Sequence, residues 1–260
     1  MTKEGQIASQ ADEQHIPSSS EIAILERQVA AETTSKYPDL GELASDVIAA
    51  FPAAFSIIDS PDRKLPLQDI VVVMFATKAH FTIRCGSDLS MKGYYAQAQV
   101  LNRLLIQEYM LARYYHCHPD KASEYLNKDD VRTPGMSKVL KSLELEHLYK
   151  DYGQLSEQEH SRLYSTWTTA VDAESRTGLR LRSAPVYDRE LFLQCLEFWA
   201  KYATAFLRFL AQVFPPLFEN SEFVTRVADL LERTNKFLDQ RERNVAAMLQ
   251  ATSSAQSVTG

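Results

Sequence analysis

Glycine is scarce in this chain, with 8 residues among 260. No two glycines have the spacing of GxGxxG or GxxxxGK[ST], which argues against the common nucleotide-binding loops. An all-β protein needs glycine in its many turns, so the low glycine content also argues against that fold. We therefore expect a helical protein without a glycine-rich phosphate loop.

Cysteine is also rare. The three residues, Cys85, Cys117 and Cys195, are widely spaced and form no CxxC pair. An odd number at such spacing argues against a disulfide framework or a zinc module. The first twenty residues lack the basic region and the apolar run of a signal peptide. The sequence thus predicts a cytoplasmic protein.

The charge is mildly acidic, since 28 Lys and Arg against 34 Asp and Glu give a net charge of −6. This balance argues against DNA binding and general affinity for nucleic acid. The run 191–214 is apolar almost all round, but Glu197, Lys201 and Arg208 interrupt it. We expect it to be a buried central helix and expect no membrane span.

Proline divides the chain into long stretches whose apolar residues recur at spacings of three and four, which is typical of helices. The proline-free stretches are 67–118, 135–184, 186–214 and 217–260. The sequence predicts an all-α fold, an irregular single-domain helical bundle of about seven or eight helices. The domain should cover residues 21–250, between disordered tails at 1–20 and 251–260.

Individual helices follow from caps and apolar periodicity. Ser19, Ser20 and Glu21 resemble a helix N-terminus, and Ser156 with Glu159 forms a capping-box pattern. The predicted helices after the first are 40–50, 67–84, 90–118, 119–126, 139–148, 156–167, 191–214 and 223–248. The segment 171–187, with Arg176, Arg180 and Arg182, is expected to be a solvated loop.

A run in the clearest helix resembles a known family. Its residues are Gly93-Tyr94-Tyr95-Ala96-Gln97-Ala98, Arg103-Leu104-Leu105, Glu108, Tyr115 and Pro119. The run is similar to a family of uncharacterised, mostly prokaryotic all-helical proteins, a domain of unknown function, over residues 67–172. The resemblance implies a helical bundle and no established chemistry. Members often carry Ser or Thr followed four residues later by His, whereas Thr168 is followed by Asp172 here.

Arg113 and His118 have an Arg-x4-His spacing that resembles the motif of HEPN-type helical ribonucleases of toxin and defence systems. The resemblance implies that Arg113 steadies a phosphate and His118 transfers a proton. No metal is needed, because the ribose 2′-hydroxyl can act as the nucleophile. Tyr114 departs from the small polar residue usual after the Arg, and Pro119 follows His118. The alternative is a helix C-terminus whose basic residues suit its dipole.

Glu108 falls on the apolar side of the same helix, in register with Leu105 and Ala112. A buried carboxylate needs a partner or stays protonated. Arg103 lies about 140° around the helix, so His80 or Lys78 of the preceding helix is the expected partner. We predict a buried polar network of Glu108, Arg103 and His80. A structural role and a small-ligand pocket beside Glu108 are both open.

Two Glu-x-x-His pairs have the spacing that di-iron bundles use. They are Glu144 with His147 and Glu157 with His160. Both lie on charged stretches without further inward glutamates, and His116 and His118 around Cys117 have no obvious co-ligands. We therefore predict no metal and no cofactor.

No strong catalytic constellation is present, and the final helix is amphipathic. The favoured hypothesis is a non-enzymatic module that acts through a protein partner or self-association. The alternative hypothesis is a metal-independent HEPN-like ribonuclease, with RNA as its partner and Arg113 and His118 as catalytic residues.

Overall fold

The computed structural model describes residues 18–59, 64–128, 132–160 and 185–258; side chains are described except at 156–160 and 248–258. Within these ranges the chain contains helices and no strand, so the all-α prediction is confirmed. The ten α-helices are α1 (Ser19–Lys36), α2 (Pro38–Ile58), α3 (Leu67–Met91), α4 (Tyr95–Cys117), α5 (Pro119–Asn127), α6 (Met136–Ser142), α7 (Tyr149–His160), α8 (Arg189–Val213), α9 (Pro215–Glu219) and α10 (Ser221–Val258). The described ranges thus hold slightly more helices than the expected seven or eight.

The N-terminus of α1 is a capping box. The backbone N–H of Glu21 donates to Ser18 Oγ at 3.4 Å, and the backbone N–H of Ser18 donates to Glu21 Oε2 at 2.7 Å. Two of the N–H groups that a helix start leaves unpaired are satisfied in this way. At the other end of the chain, α10 continues beyond residue 250, where the sequence predicts a tail.

The helix α2 passes through Pro52 and ends at Ile58, so its predicted end at residue 50 was wrong. Proline inside a helix removes one backbone hydrogen bond and clashes with the preceding turn. Phe51, Ala54 and Ile58 nevertheless continue one buried face of α2 across the proline. Burial of this face outweighs the local cost of Pro52.

The predicted helix start at Ser90 was also wrong, because α3 continues to Met91 and α4 begins at Tyr95. Gly93 forms the turn between them with a φ of +85°. A Cβ at this position would lie 2.7 Å from the carbonyl oxygen of Val186, so the close approach of the two backbones also requires glycine.

The predicted capping box at Ser156 was wrong too, since Ser156 lies inside α7. The remainder of that predicted helix, with most of the arginine-containing loop, lies outside the described residues. The earlier part of the predicted helix 139–148 is α6, which is followed by a 3-10 turn at Glu146–Leu148.

The core is centred on α3, α4 and α8. Trp199 of α8 is 1% exposed and donates from Nε1 to the Ile83 carbonyl of α3 at 2.8 Å. Asn102 of α4 donates from Nδ2 to the Cys195 carbonyl of α8 at 2.8 Å. These directional buried contacts, together with non-directional apolar packing, fix the relative positions of the three helices.

Among the described helices, α2 is long and apolar enough to cross a membrane, with a mean hydropathy of 1.4. Its apolar residues Leu43, Val47 and Phe51 are buried against other helices of this chain. A core helix of a soluble protein meets the same criteria of length and hydropathy.

Candidate functional site

Arg113 faces a pocket of about 370 Å³ where α4, α8 and α10 meet. We call it the three-helix pocket and define it by Tyr109, Arg113, Lys201, Arg208, Gln212 and Thr234. Arg113 donates from Nη1 to Tyr109 Oη at 3.2 Å, and its guanidinium carbon lies 5.6 Å from the centre of the same ring. The spacing of four residues along α4 brings these two side chains together.

The charges of the three-helix pocket are unevenly balanced. Lys201 forms an ion pair with Asp151 of α7, and Tyr202 donates to the same carboxylate at 2.8 Å. Arg113 and Arg208, by contrast, form no ion pair with any described residue. The pocket therefore carries an excess of positive charge.

Thr234 adds an unusual hydroxyl to this pocket. Its side chain is 2% exposed, and its Oγ1 has no hydrogen-bond partner among the described residues. Threonine in a helix commonly donates to the carbonyl four residues back, as Thr204 does to Ala200 at 2.7 Å. The Thr234 hydroxyl is thus a buried, unpaired polar group on a residue that lines the pocket.

His118 lies at the C-terminus of α4, in different surroundings from Arg113. Its Nδ1 is 2.8 Å from the Tyr114 carbonyl oxygen, and its ring is stacked on that of Tyr114 with centroids 4.4 Å apart. Tyr114 in turn lines a second pocket of about 450 Å³. We call it the basic pocket and define it by Tyr114, Lys121, Glu124, Lys128, Arg132 and Lys138.

Among the described residues that line the basic pocket, Glu124 is the acidic one. It accepts from Lys121 at 3.0 Å and from Lys128 at 2.6 Å, and these bonds lower the pKa of its carboxyl to about 2. The described lining of this pocket thus contains four basic side chains and one carboxylate.

Arg113 and His118 contact different residues, so the structure does not present them as one catalytic pair. Five positions along a helix correspond to about 140° of rotation. Arg113 therefore lies beside α8 and α10, whereas His118 contacts Tyr114. Their catalytic roles stay predictions.

Glu108 is buried at 5% exposure, as its position in α4 predicts. Its Oε1 accepts from Thr82 Oγ1 of α3 at 3.3 Å, and its Oε2 has no hydrogen-bond partner among the described residues. Desolvation raises the pKa of Glu108 to about 7, and the Thr82 hydrogen bond and the Lys78 charge oppose the rise. Of the two expected partners on α3, Lys78 is the one that acts on this carboxylate.

His80 has a separate environment from Glu108. Its ring lies 5.9 Å from that of Phe51, 6.2 Å from Phe55 and 5.7 Å from Phe81. Burial, and secondly the Arg84 charge, lower the pKa of His80. The aromatic surroundings thus favour the neutral imidazole.

Arg103 contacts a third set of residues. It donates from Nη2 to Tyr152 Oη of α7 at 3.2 Å, with its guanidinium carbon 5.3 Å from the centre of that ring. The hydrogen bond of Glu108, the ring contacts of His80 and the Tyr152 contact of Arg103 thus involve different residues. The network predicted for these three residues stays a prediction.

No group of three or more His, Cys, Asp or Glu side chains within the described ranges could hold a metal ion. Glu144 occupies the turn after α6, with a φ of +56°, and His147 lies in the following 3-10 turn. His116 instead pairs with Asp69 of α3 at 3.4 Å.

A third cleft, of about 510 Å³, lies between the α1–α2 junction, α8 and α10. It contains several arginines, but carboxylates neutralise two of them. Arg233 lies 2.7 Å from Asp46, and Arg241 lies 2.7 Å from Glu190. These two ion pairs compensate the charges of Arg233 and Arg241 within the cleft.

Four apolar side chains of α3 are exposed. Leu67, Ile70, Met74 and Phe81 have exposed fractions between 36% and 60%. We call them the α3 stripe. The amphipathic final helix, in contrast, offers less than the sequence predicts, because its apolar residues Phe223, Val227 and Leu230 are buried in the core.

The sequence analysis did not identify several residues that line the three-helix pocket. Lys201, Thr204, Arg208 and Gln212 have spacings of three and four, which place them on one face of α8. That pattern was available in the sequence and marks a polar face on an otherwise apolar helix. The contributions of Asp151 and Thr234 depend on which helices pack together.

Comparison with known proteins gives no relative for this chain: no family model matches it, and no curated protein or solved structure is similar to it. The resemblances to the uncharacterised helical family and to HEPN-type ribonucleases stay predictions.

Proposed function

We propose that this protein is a helical interaction module that binds an amphipathic helix of a protein partner on the α3 stripe. The observation that carries the proposal is the exposure of Leu67, Ile70, Met74 and Phe81 on one helix. Exposed apolar residues scattered singly are normal on a protein surface, whereas several of them aligned on one helix favour an interaction site.

The spacing of the α3 stripe supports a helical partner. The intervals of three, four and seven residues place the side chains along one line of the helix surface. From Leu67 to Phe81 the stripe is about 21 Å long, at 1.5 Å per residue. This length accommodates several turns of a second helix.

The charges beside the stripe indicate the chemistry of the partner. Lys78 and Arg84 are exposed on either side of Phe81. A partner helix with acidic residues flanking its apolar face would complement them, and such complementarity favours one partner over others.

The test compares the parent protein with Met74→Asp and Phe81→Asp. A matched control is Phe218→Asp, because Phe218 is 70% exposed and lies outside the stripe. We expect the parent and Phe218→Asp either to retain a host protein or to form a dimer whose amount depends on concentration, as measured by light scattering. Both stripe variants should lose this association, with unchanged circular dichroism.

Two outcomes contradict the proposal. One is a strictly monomeric parent that retains no protein. The other is an association that Met74→Asp, Phe81→Asp and Phe218→Asp weaken equally. A dimer lost only in the stripe variants would identify the partner as a second copy of this chain.

The alternative function is ribonuclease activity, which the basic pocket beside His118 favours. Hydrogen bonding of His118 Nδ1–H to the Tyr114 carbonyl would leave Nε2 to accept a proton. The test is cleavage of labelled RNA in EDTA by the parent, Arg113→Ala and His118→Ala. Activity lost in His118→Ala supports this alternative, and intact RNA in every sample removes it.

The compartment that we propose is the cytoplasm. Cys85 and Cys117 are exposed free cysteines. Exposed thiols persist in the reducing cytosol and are readily oxidised outside it.

A further inference from the structure

We propose that the three-helix pocket binds a small phosphate monoester, with the phosphate held by Arg113 and Arg208. This site is distinct from the α3 stripe, and its test does not depend on the proposed interaction function. The inference rests on the two arginines, on the Thr234 hydroxyl and on the shape of the pocket.

The two arginines are the first support. Arg113 comes from α4 and Arg208 from α8, and both line one pocket without a carboxylate partner in the described part of the chain. Two like charges facing one cleft repel each other unless an anion lies between them. The planar guanidinium matches phosphate oxygens in pairs, so two arginines suit a dianion.

Lys201 contributes less than the two arginines to the binding of an anion in the three-helix pocket. Its ion pair with Asp151 compensates its charge, and Asp151 also accepts from Tyr202. Glu197 is a further carboxylate whose charge interacts with that of Lys201. These contacts hold Lys201 in place while the uncompensated charge of the pocket stays on Arg113 and Arg208.

Thr234 is the second and independent support. Its hydroxyl is buried and without a partner among the described residues, although it lines the pocket. Leaving a buried hydroxyl unpaired costs stability, so a bound oxyanion that accepts from Thr234 would recover that cost. The hydroxyl can donate to a phosphate oxygen without adding charge.

The remaining walls favour an organic ester over a bare ion. Tyr109, Leu231 and Leu238 form the apolar side of the pocket. The volume of about 370 Å³ is at the lower end for small-molecule sites. This space suits a phosphate attached to a short carbon skeleton.

The experiment measures binding of glucose 6-phosphate, glucose, inorganic phosphate and citrate to the full chain by calorimetry and thermal shift. We expect glucose 6-phosphate to bind more tightly than inorganic phosphate and glucose not to bind. Arg113→Gln and Arg208→Gln should each weaken glucose 6-phosphate binding by about tenfold or more. Arg208 is exposed, so its substitution leaves the core unchanged.

The matched control is Arg243→Gln, because Arg243 is an exposed arginine of α10 outside the three-helix pocket. Its binding should equal that of the parent. Thr234→Val separates a ligand role from a structural one. This variant should raise the melting temperature of the free protein, since it removes an unpaired hydroxyl, and should weaken phosphate ester binding.

Three results would overturn the proposal. The first is absence of binding by glucose 6-phosphate and phosphate at millimolar concentration. The second is equal binding in Arg208→Gln and Arg243→Gln. The third is tight binding of citrate without binding of either phosphate compound, which would assign the pocket to carboxylates.

Discussion

At the scale of single residues, Glu108 links burial to the pH dependence of stability. Its pKa rises from 4.5 to about 7 in the folded protein, chiefly because burial disfavours the charged carboxylate. The folded state therefore holds the proton more tightly than the unfolded state. Stability should fall as the pH rises through the window from 4.5 to about 7, by up to about 3 kcal/mol above it.

The variant Glu108→Gln tests this prediction, because it keeps the shape of the side chain and removes the titration. We expect Glu108→Gln to be more stable than the parent at pH 8 and to show less change in stability between pH 5 and pH 8. Urea unfolding at the two pH values measures both differences. Glu232→Gln is the control, since Glu232 is exposed. An equal change in the free energy of unfolding between pH 5 and pH 8 for the parent and Glu108→Gln would contradict the raised pKa of Glu108.

Glu108 also shows which properties of a site residue can be predicted from the sequence. The burial of Glu108 follows from its register with Leu105 and Ala112, and the structure bears out that position. Its actual hydrogen-bond donor, Thr82, does not follow from the sequence, because it depends on how α3 packs against α4. The separation of Arg113 from His118, in contrast, can be inferred from the sequence, because five positions along a helix correspond to about 140° of rotation.

At the scale of elements, the turn between α3 and α4 depends on Gly93. An alanine there would adopt a positive φ and place its Cβ 2.7 Å from the Val186 carbonyl oxygen. We expect Gly93→Ala to lower the free energy of unfolding by at least about 2 kcal/mol. Gly41→Ala is the control, because no atom lies within 4 Å of its Cβ position. Chemical denaturation that shows equal stability for both variants would contradict this account.

For Pro52 of α2 we expect the opposite effect, namely that a substitution stabilises the protein. Pro52 is exposed, so Pro52→Ala loses little packing and allows the backbone N–H to donate within the helix. We expect Pro52→Ala to stabilise the protein by about 1 to 3 kcal/mol. A melting temperature at or below that of the parent would show that the proline ring stabilises the fold instead.

The helices also show where local signals succeed and fail. Apolar periodicity predicted most of them, because burial of one face determines their formation. The errors concern Pro52, Gly93 and Ser156. At Pro52 tertiary burial overrides a local breaker, and at Ser156 the helix α7 simply continues through a capping pattern. At Gly93 the turn between α3 and α4 lies a few residues after the predicted break at 85–89, because α3 continues to Met91.

At the scale of the whole molecule, buried apolar residues from α2 through α10 form one hydrophobic cluster. Such a core should unfold as one unit, as the predicted single domain requires. Leu43 of α2 is 2% exposed and Trp199 of α8 is 1% exposed, so both residues lie inside the cluster, on different helices. With Trp167→Phe as the background, Trp199 is the sole tryptophan, because the chain contains two.

In that background, Leu43→Ala should destabilise the fold by about 2 to 5 kcal/mol, since it leaves a cavity in the core. We expect Trp199 fluorescence and far-ultraviolet circular dichroism to shift to the same lower midpoint, although the substitution lies in another helix. An earlier dichroism transition, with the fluorescence midpoint unchanged, would mean that α2 unfolds on its own. The core would then consist of two units, and the boundary between them would lie between α2 and the helices around Trp199.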